Sequence, residues 1–233
     1  MDFRAIFLIV SLVGLGGCLA SLKEGPIGER GGSYNRQAWG VHVQKDGVKN
    51  GEHLETHVYF PKTGTGPSPP VVFSHGSPRG SFRPTVFYDA RAKWFTDWGY
   101  AVVRPMQRGY WRSHGNWSED YGSCYNSDYV KAELATSHDI LAALAYFSGQ
   151  GFVDPNLVVL IGQSEDGLGS AAADSRKPPG VVGFVNFSGG RGSRGSGSNC
   201  SPVDATGHFG RTTTILNIWI HGLEDDFFGS KIS

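Results

Sequence analysis

The chain has 233 residues, 21 basic against 21 acidic side chains, a pI of about 7.1 and 39% hydrophobic residues. That length fits one domain with a real core, and the neutral balance excludes the basic excess of a nucleic-acid binder. Glycine, at 34 residues, runs at about twice its usual ~7% share, without the three-residue period of collagen. Aromatics at 12% exclude wholesale disorder, leaving a compact, turn-rich globular protein.

Residues 5–20 (AIFLIVSLVGLGGCLA) form an uncharged run after Arg4 that ends in small residues. The run is shorter than the ~20 residues of a membrane-spanning helix, so it predicts an export signal. Leu15-Gly16-Gly17-Cys18 also resembles a bacterial lipobox. On that reading residues 1–17 are a lipoprotein-type signal peptide and Cys18 is the lipidated new N-terminus. A plain signal cut near Ala20, or an uncleaved anchor, is the alternative. The predicted location is a bacterial membrane-anchored lipoprotein or a periplasmic or secreted protein. Cys124 and Cys200 lie in turn-rich segments, and outside the cytoplasm a bridge between them would add roughly 4 kcal/mol. Two free thiols are the other reading. Neither cysteine has CxxC spacing or a nearby His pair, so no metal site is expected.

Residues 18–50 read as an N-terminal linker with a first strand, and 51–233 as the main domain. Alternation at Trp39–Val43 and His53–Phe60 predicts a hairpin, and Pro61–Pro70 (PKTGTGPSPP) breaks regular structure. Val71–Phe73 is a short buried strand ending in Ser74-His75-Gly76. Apolar spacing predicts a helix over Pro84–Trp98, stopped by Gly99, and then a strand over Tyr100–Val103. After a polar, aromatic-rich loop, Gln107 to Asp128, comes a helix over Tyr129–Phe147, a strand over Leu157–Ile161 and a helix over Gly167–Asp174. Val181–Phe187 and Thr213–Ile220 are further strands, flanking a Gly/Ser tract from Ser188 to Ser201. This alternation predicts an α/β fold with a mostly parallel, doubly wound sheet, whose ligands sit at the carboxyl ends of strands.

Gly162-Gln163-Ser164 stands between a strand and a helix, where a strained turn can lift a serine hydroxyl above a sheet. The full G-x-S-x-G pattern is broken by Asp166, with glycine arriving one residue later at Gly167. A side chain at 166 is expected to crowd the turn. Glu165 and Asp166 suit a helix N-terminus but oppose an oxyanion forming nearby. An ordinary strand–helix turn is the plainer alternative. His75-Gly76-Ser77 ends the earlier strand, Arg108-Gly109-Tyr110 with Ser113 follows the next, and Glu224-Asp225-Asp226 follows the last.

Taken in order, VVFSHGSP, QRGYWRS, VVLIGQS, VNFSGG and IWIHGLEDDFF resemble the α/β-hydrolase superfamily, and within it the dienelactone hydrolase-like esterases. The resemblance covers about residue 50 to Phe228. It implies an α/β-hydrolase fold, a Ser164 nucleophile, Asp225 as the triad acid, and an oxyanion hole bordered by His75, Gly76, Ser77 and the Glu165 N–H. It also implies a small-molecule ester substrate and no cofactor; the charge balance and signal add no nucleic-acid partner and membrane anchoring through Cys18. In this family the triad His follows the acid, yet none of the eight residues after Asp225 is a His. The expectation is a C-terminally incomplete fold with impaired hydrolysis, because a serine without its base is not activated. His221 precedes the acid and does not take the role; His208, His114 and His138 match no motif. A non-catalytic binding module, a truncated gene product and a prolyl-oligopeptidase-like peptidase are the other readings. Arg191 and Arg194 read as solvated loop charges rather than contacts to an anionic substrate.

Overall fold

The computed structural model describes residues 22–45, 48–64, 66–77, 82–123, 125–190 and 203–222. In chain order its first elements are β1 (Gly25–Gly31), β2 (Arg36–Lys45), β3 (Val48–Tyr59), β4 (Pro70–Ser74), α1 (Asp89–Asp97) and β5 (Ala101–Pro105). There follow β6 (Gly122–Ser123), β7 (Asn126–Ser127), α2 (Tyr129–Ser148), β8 (Val158–Gln163) and α3 (Glu165–Asp174). The last are β9 (Val181–Phe187), α4 (Val203–Gly210) and β10 (Leu216–Ile220). Among the described residues no helix is long and apolar enough to cross a membrane.

Eight strands form one sheet in the order β1-β2-β3-β5-β4-β8-β9-β10, and β6–β7 is a separate two-stranded ribbon. From β5 to β10 every pairing is parallel. The strands before it join antiparallel: β1 to β2, β2 to β3, and β3 to β5. β4 (PVVFS) and β5 (AVVRP) are buried at every residue, as a parallel strand covered on both faces requires. The chain steps from β4 outward to β5 and then returns past it to β8. The carboxyl ends of β4 and β8 therefore meet at the point where strand order reverses, which positions the site.

The larger core lies between the sheet and α2, α3 and α4. Helix α2 buries Ala132, Thr136, Ile140, Ala143, Leu144 and Phe147, a stripe at helical spacing. Asp128 caps it by accepting from the Lys131 N–H at 2.9 Å. Trp39 of β2 packs edge-on to Phe147 with ring centroids 5.4 Å apart. A smaller core under α1 joins Tyr59, Val71, Phe73, Ala92, Val102 and Ile161.

Three expectations need correction. The helix predicted over Pro84–Trp98 begins only at Asp89. Upstream, tertiary bonds claim the chain: Thr85 Oγ1 donates to Glu55 Oε2 at 3.1 Å, and the Val86 carbonyl accepts from Arg104 Nη1 at 2.7 Å. Three of its large apolar residues do not face the core, since Phe87, Trp94 and Trp98 are 47%, 58% and 70% exposed. The segment 18–50 is more than a linker with one strand. It supplies β1, β2 and the start of β3, so residue 51 falls inside a strand of the shared sheet. Finally, α4 forms just after the Gly/Ser tract, where no helix was predicted.

Candidate active site

The Val158–Gln163 strand hands over to α3 through a single residue, Ser164, at φ +56° and ψ −127°. A residue with a side chain rarely occupies that conformation. Three backbone hydrogen bonds hold it: the Ser164 N–H donates to the Phe187 carbonyl at 2.9 Å, and its carbonyl accepts from the N–H groups of Gly167 (2.9 Å) and Gly190 (3.0 Å). Close approach on both sides requires glycine. A Cβ on Gly162 would overlap the Asp166 carbonyl oxygen, and one on Gly167 would lie 2.5 Å from Asn186 Oδ1 and the Gly189 Cα. The expected crowding by Asp166 therefore does not arise. Gly167 carries the tight helix–sheet contact, and the Asp166 side chain turns away into the interior.

Gly76, two residues past the end of β4, meets the same serine from the neighbouring strand's exit. A Cβ there would lie 2.6 Å from Ser164 Cβ and 3.3 Å from Ser164 Oγ. Two motifs 88 positions apart are thus brought into contact through the Ser74↔Gly162 register of β4 and β8. Glu165 opens α3, so its N–H has no acceptor within the helix, and it stands beside the serine. Substituting Gly76→Ala is expected to cost about 1–3 kcal/mol by overpacking and to displace the Ser164 side chain. Urea denaturation measures the first effect, and loss of covalent serine labelling the second.

Beneath the turn is a buried polar group. Tyr110 donates its hydroxyl proton to Glu119 Oε2 at 2.9 Å, so the Ser77 hydroxyl, 2.9 Å away, donates to the tyrosine oxygen. Burial, then the Glu119 charge, pushes the Tyr110 phenol pKa up. One ligand-type atom from each of His75, Glu119 and Asp166, all buried, lies within 4.8 Å of the others. His75 packs edge-on to Tyr110 at 4.4 Å. Its Nδ1–H donates to the Gly76 carbonyl at 3.2 Å, and its Nε2 accepts from the Gln107 N–H at 3.5 Å. Burial, then the Arg104 charge, holds its pKa down to about 3, so the ring is neutral.

The loop after β5 is tied down by Arg108. Its Nε donates to Asp139 Oδ1 at 2.6 Å, its backbone N–H to Asp139 Oδ2 at 2.9 Å, and its Nη1 to Glu52 Oε2 at 3.0 Å. Ser113 is buried, donating to the Met106 carbonyl at 2.6 Å and accepting from the Glu55 N–H at 2.9 Å. Both residues of the sequence motif are thus scaffolding for the site. The remaining motif-free histidines have structural surroundings. His138 Nε2 donates to the Gln44 carbonyl at 3.0 Å, the His114 ring lies tilted against His53 at 4.0 Å, and His208 lies edge-on to Phe209 at 5.0 Å. His221 follows β10 directly, with its ring stacked on Trp219 at 6.2 Å. Asp225, Cys18, Cys124, Cys200, Arg191 and Arg194 lie outside the described residues.

Sequence reasoning missed the inward turn of Asp166 and the role of Glu119, because a charge in a loop reads as solvated. It also missed Arg104, fully buried in β5 with its guanidinium 4.6 Å over the Tyr88 ring.

No protein-family model and no curated protein matches this chain. Solved structures do. The protein m3DLH superposes with a TM-score of 0.59 at 16% identity, covering 84% of this chain and 71% of that one. A Mycobacterium tuberculosis puromycin-hydrolyzing peptidase gives 0.55 at 15% identity, over 85% of this chain and 32% of its own. The α/β hydrolase GrgF from Penicillium sp. sh18 gives 0.52 at 19%, over 69% and 48%. The chain thus spans about half or less of the latter two. It has the α/β-hydrolase fold, with a serine at the strand–helix corner.

Proposed function

We propose that the chain is a serine hydrolase-type protein for carboxyl esters of the dienelactone hydrolase-like kind, with Ser164 as nucleophile and weak turnover. The observation that carries the reading is Ser164 itself, held at φ +56° with its hydroxyl against Gly76. In the reaction Ser164 Oγ attacks the ester carbonyl carbon, its proton passes to solvent water, and the π electrons move to the carbonyl oxygen. The N–H groups of Glu165 and of the 76–77 turn face that oxyanion. Its collapse expels the alkoxide, which takes a proton from solvent water and leaves as the alcohol. A second water then attacks the acyl-enzyme, releasing the carboxylic acid and restoring the Ser164 hydroxyl. The resemblance assigns the triad acid to Asp225, and export through the 5–20 segment with lipidation at Cys18 is proposed alongside.

Weak turnover follows from the surroundings of the serine. No described histidine hydrogen-bonds its hydroxyl, and both nitrogens of His75 are engaged elsewhere. Asp166 adds a carboxyl group where the motif has glycine. With p-nitrophenyl acetate, the expected result is slow hydrolysis that falls to the buffer rate in Ser164→Ala and rises about tenfold in Asp166→Gly, roughly 1.4 kcal/mol of barrier. Hydrolysis that survives in Ser164→Ala contradicts the assignment.

A further inference from the structure

A cavity of about 470 Å³ opens beside Gln163, on the α1 side of the sheet, at the carboxyl ends of β4, β8 and β9. That volume is in the range of small-molecule sites, ~300–1,000 Å³. Four aromatic rings wall it: Phe73, Trp94, Phe95 and Phe187. The rings brace one another, with Trp94 edge-on to Phe95 at 4.8 Å and Phe95 edge-on to Phe73 at 6.3 Å.

One cation stands at this apolar wall. The Arg91 guanidinium lies 4.3 Å over the Tyr88 ring, and its Nη1 donates to Gln163 Oε1 at 2.7 Å. Arg91 is exposed, and stacking on Tyr88 with the Gln163 bond orients its plane. Among the described residues no carboxylate lies within ion-pair distance of Arg91, and one Gln163 bond uses one of five guanidinium donors. An oriented, planar cation without a counter-charge matches a carboxylate. Four rings beside it match an apolar body. We propose that this cavity binds a small apolar carboxylate, the ring or chain lying among Trp94, Phe95 and Phe187 and the carboxylate on Arg91. The inference stands apart from the role of Ser164. Its ligand is either the acid released at that serine or an acid that binds without reacting, and the same chemistry serves both.

The test uses 4-phenylbutyrate and its uncharged analogue 4-phenylbutanamide, with the full chain, by calorimetry and by tryptophan fluorescence. The acid is expected to bind about fivefold or more tighter than the amide, the factor corresponding to ~1 kcal/mol for an exposed ion pair. Arg91→Gln should abolish that preference, Arg91→Lys should keep part of it, and Trp94→Phe should remove the fluorescence change. Circular dichroism confirms that each variant is folded. Failure of the acid to bind, equal binding of acid and amide, or a preference that survives Arg91→Gln overturns the proposal. Protection of Ser164 from a fluorophosphonate by bound acid identifies the ligand as a reaction product. Binding with labelling unchanged identifies a separate ligand, and either result supports the site.

Discussion

Acidification from pH 7 to 4.5 is expected to remove roughly 5 kcal/mol of folding stability through two buried histidines, His57 and His75. Burial holds each near a pKa of about 3, with Arg36 and Arg104 adding to it at His57 and Arg104 at His75. In the unfolded chain both titrate near 6.5. The neutral ring is therefore the form that folds, and its stability is fully present above pH 6.5. As the pH falls below 6.5 the unfolded state takes up two protons that the native state refuses. Stability then drops by about 2.7 kcal/mol per pH unit until the folded pKa is reached near 3. Glu55, 3.7 Å from His57, has its carboxyl pKa raised by burial and offsets part of this. Urea denaturation at pH 7, 5.5 and 4.5 measures the slope, and His57→Gln should reduce it by about half. A stability unchanged between pH 7 and 4.5 contradicts the prediction.

Removing Asp139 is expected to cost about 3–5 kcal/mol, because it strands a largely buried guanidinium. The Asp139 side chain is fully buried, and the Arg108 side chain is 14% exposed. Asp139 accepts from both the side chain and the backbone of Arg108, so one carboxylate anchors the loop after β5 to α2. That loop carries Tyr110, which orients Ser77 beneath the nucleophile turn. Asp139→Ala should therefore lower the urea midpoint, and Asp139→Asn should recover part of the loss by keeping one acceptor. A change below about 1 kcal/mol in Asp139→Ala would mean that Glu52 alone holds Arg108.

Much of this architecture was legible in the residues. Val181–Phe187 forms β9 over the span its apolar run defines, and Gly99, at φ +88°, stops α1 as its place in the sequence implies. The serine turn was legible because a β-branched run, a Gly and a Ser meet in that order ahead of a helix. What escaped depends on partners far away in sequence. β1 (GPIGERG) has no periodicity of its own and becomes a strand only by pairing with β2. Residues 84–88 have helical spacing, but Arg104 and Glu55 take their polar groups. The inward course of Asp166 brings its carboxyl within 4.8 Å of ligand-type atoms of His75 and Glu119, a neighbourhood that local spacing does not encode.

The most direct test of the central claim is covalent labelling with a fluorophosphonate, read by mass spectrometry of the intact chain and its peptides. One adduct is predicted, on the peptide containing Ser164, formed slowly and lost in Ser164→Ala and Gly76→Ala. An unlabelled chain after prolonged exposure, or an adduct that persists in Ser164→Ala, would contradict the assignment of Ser164 as the nucleophile.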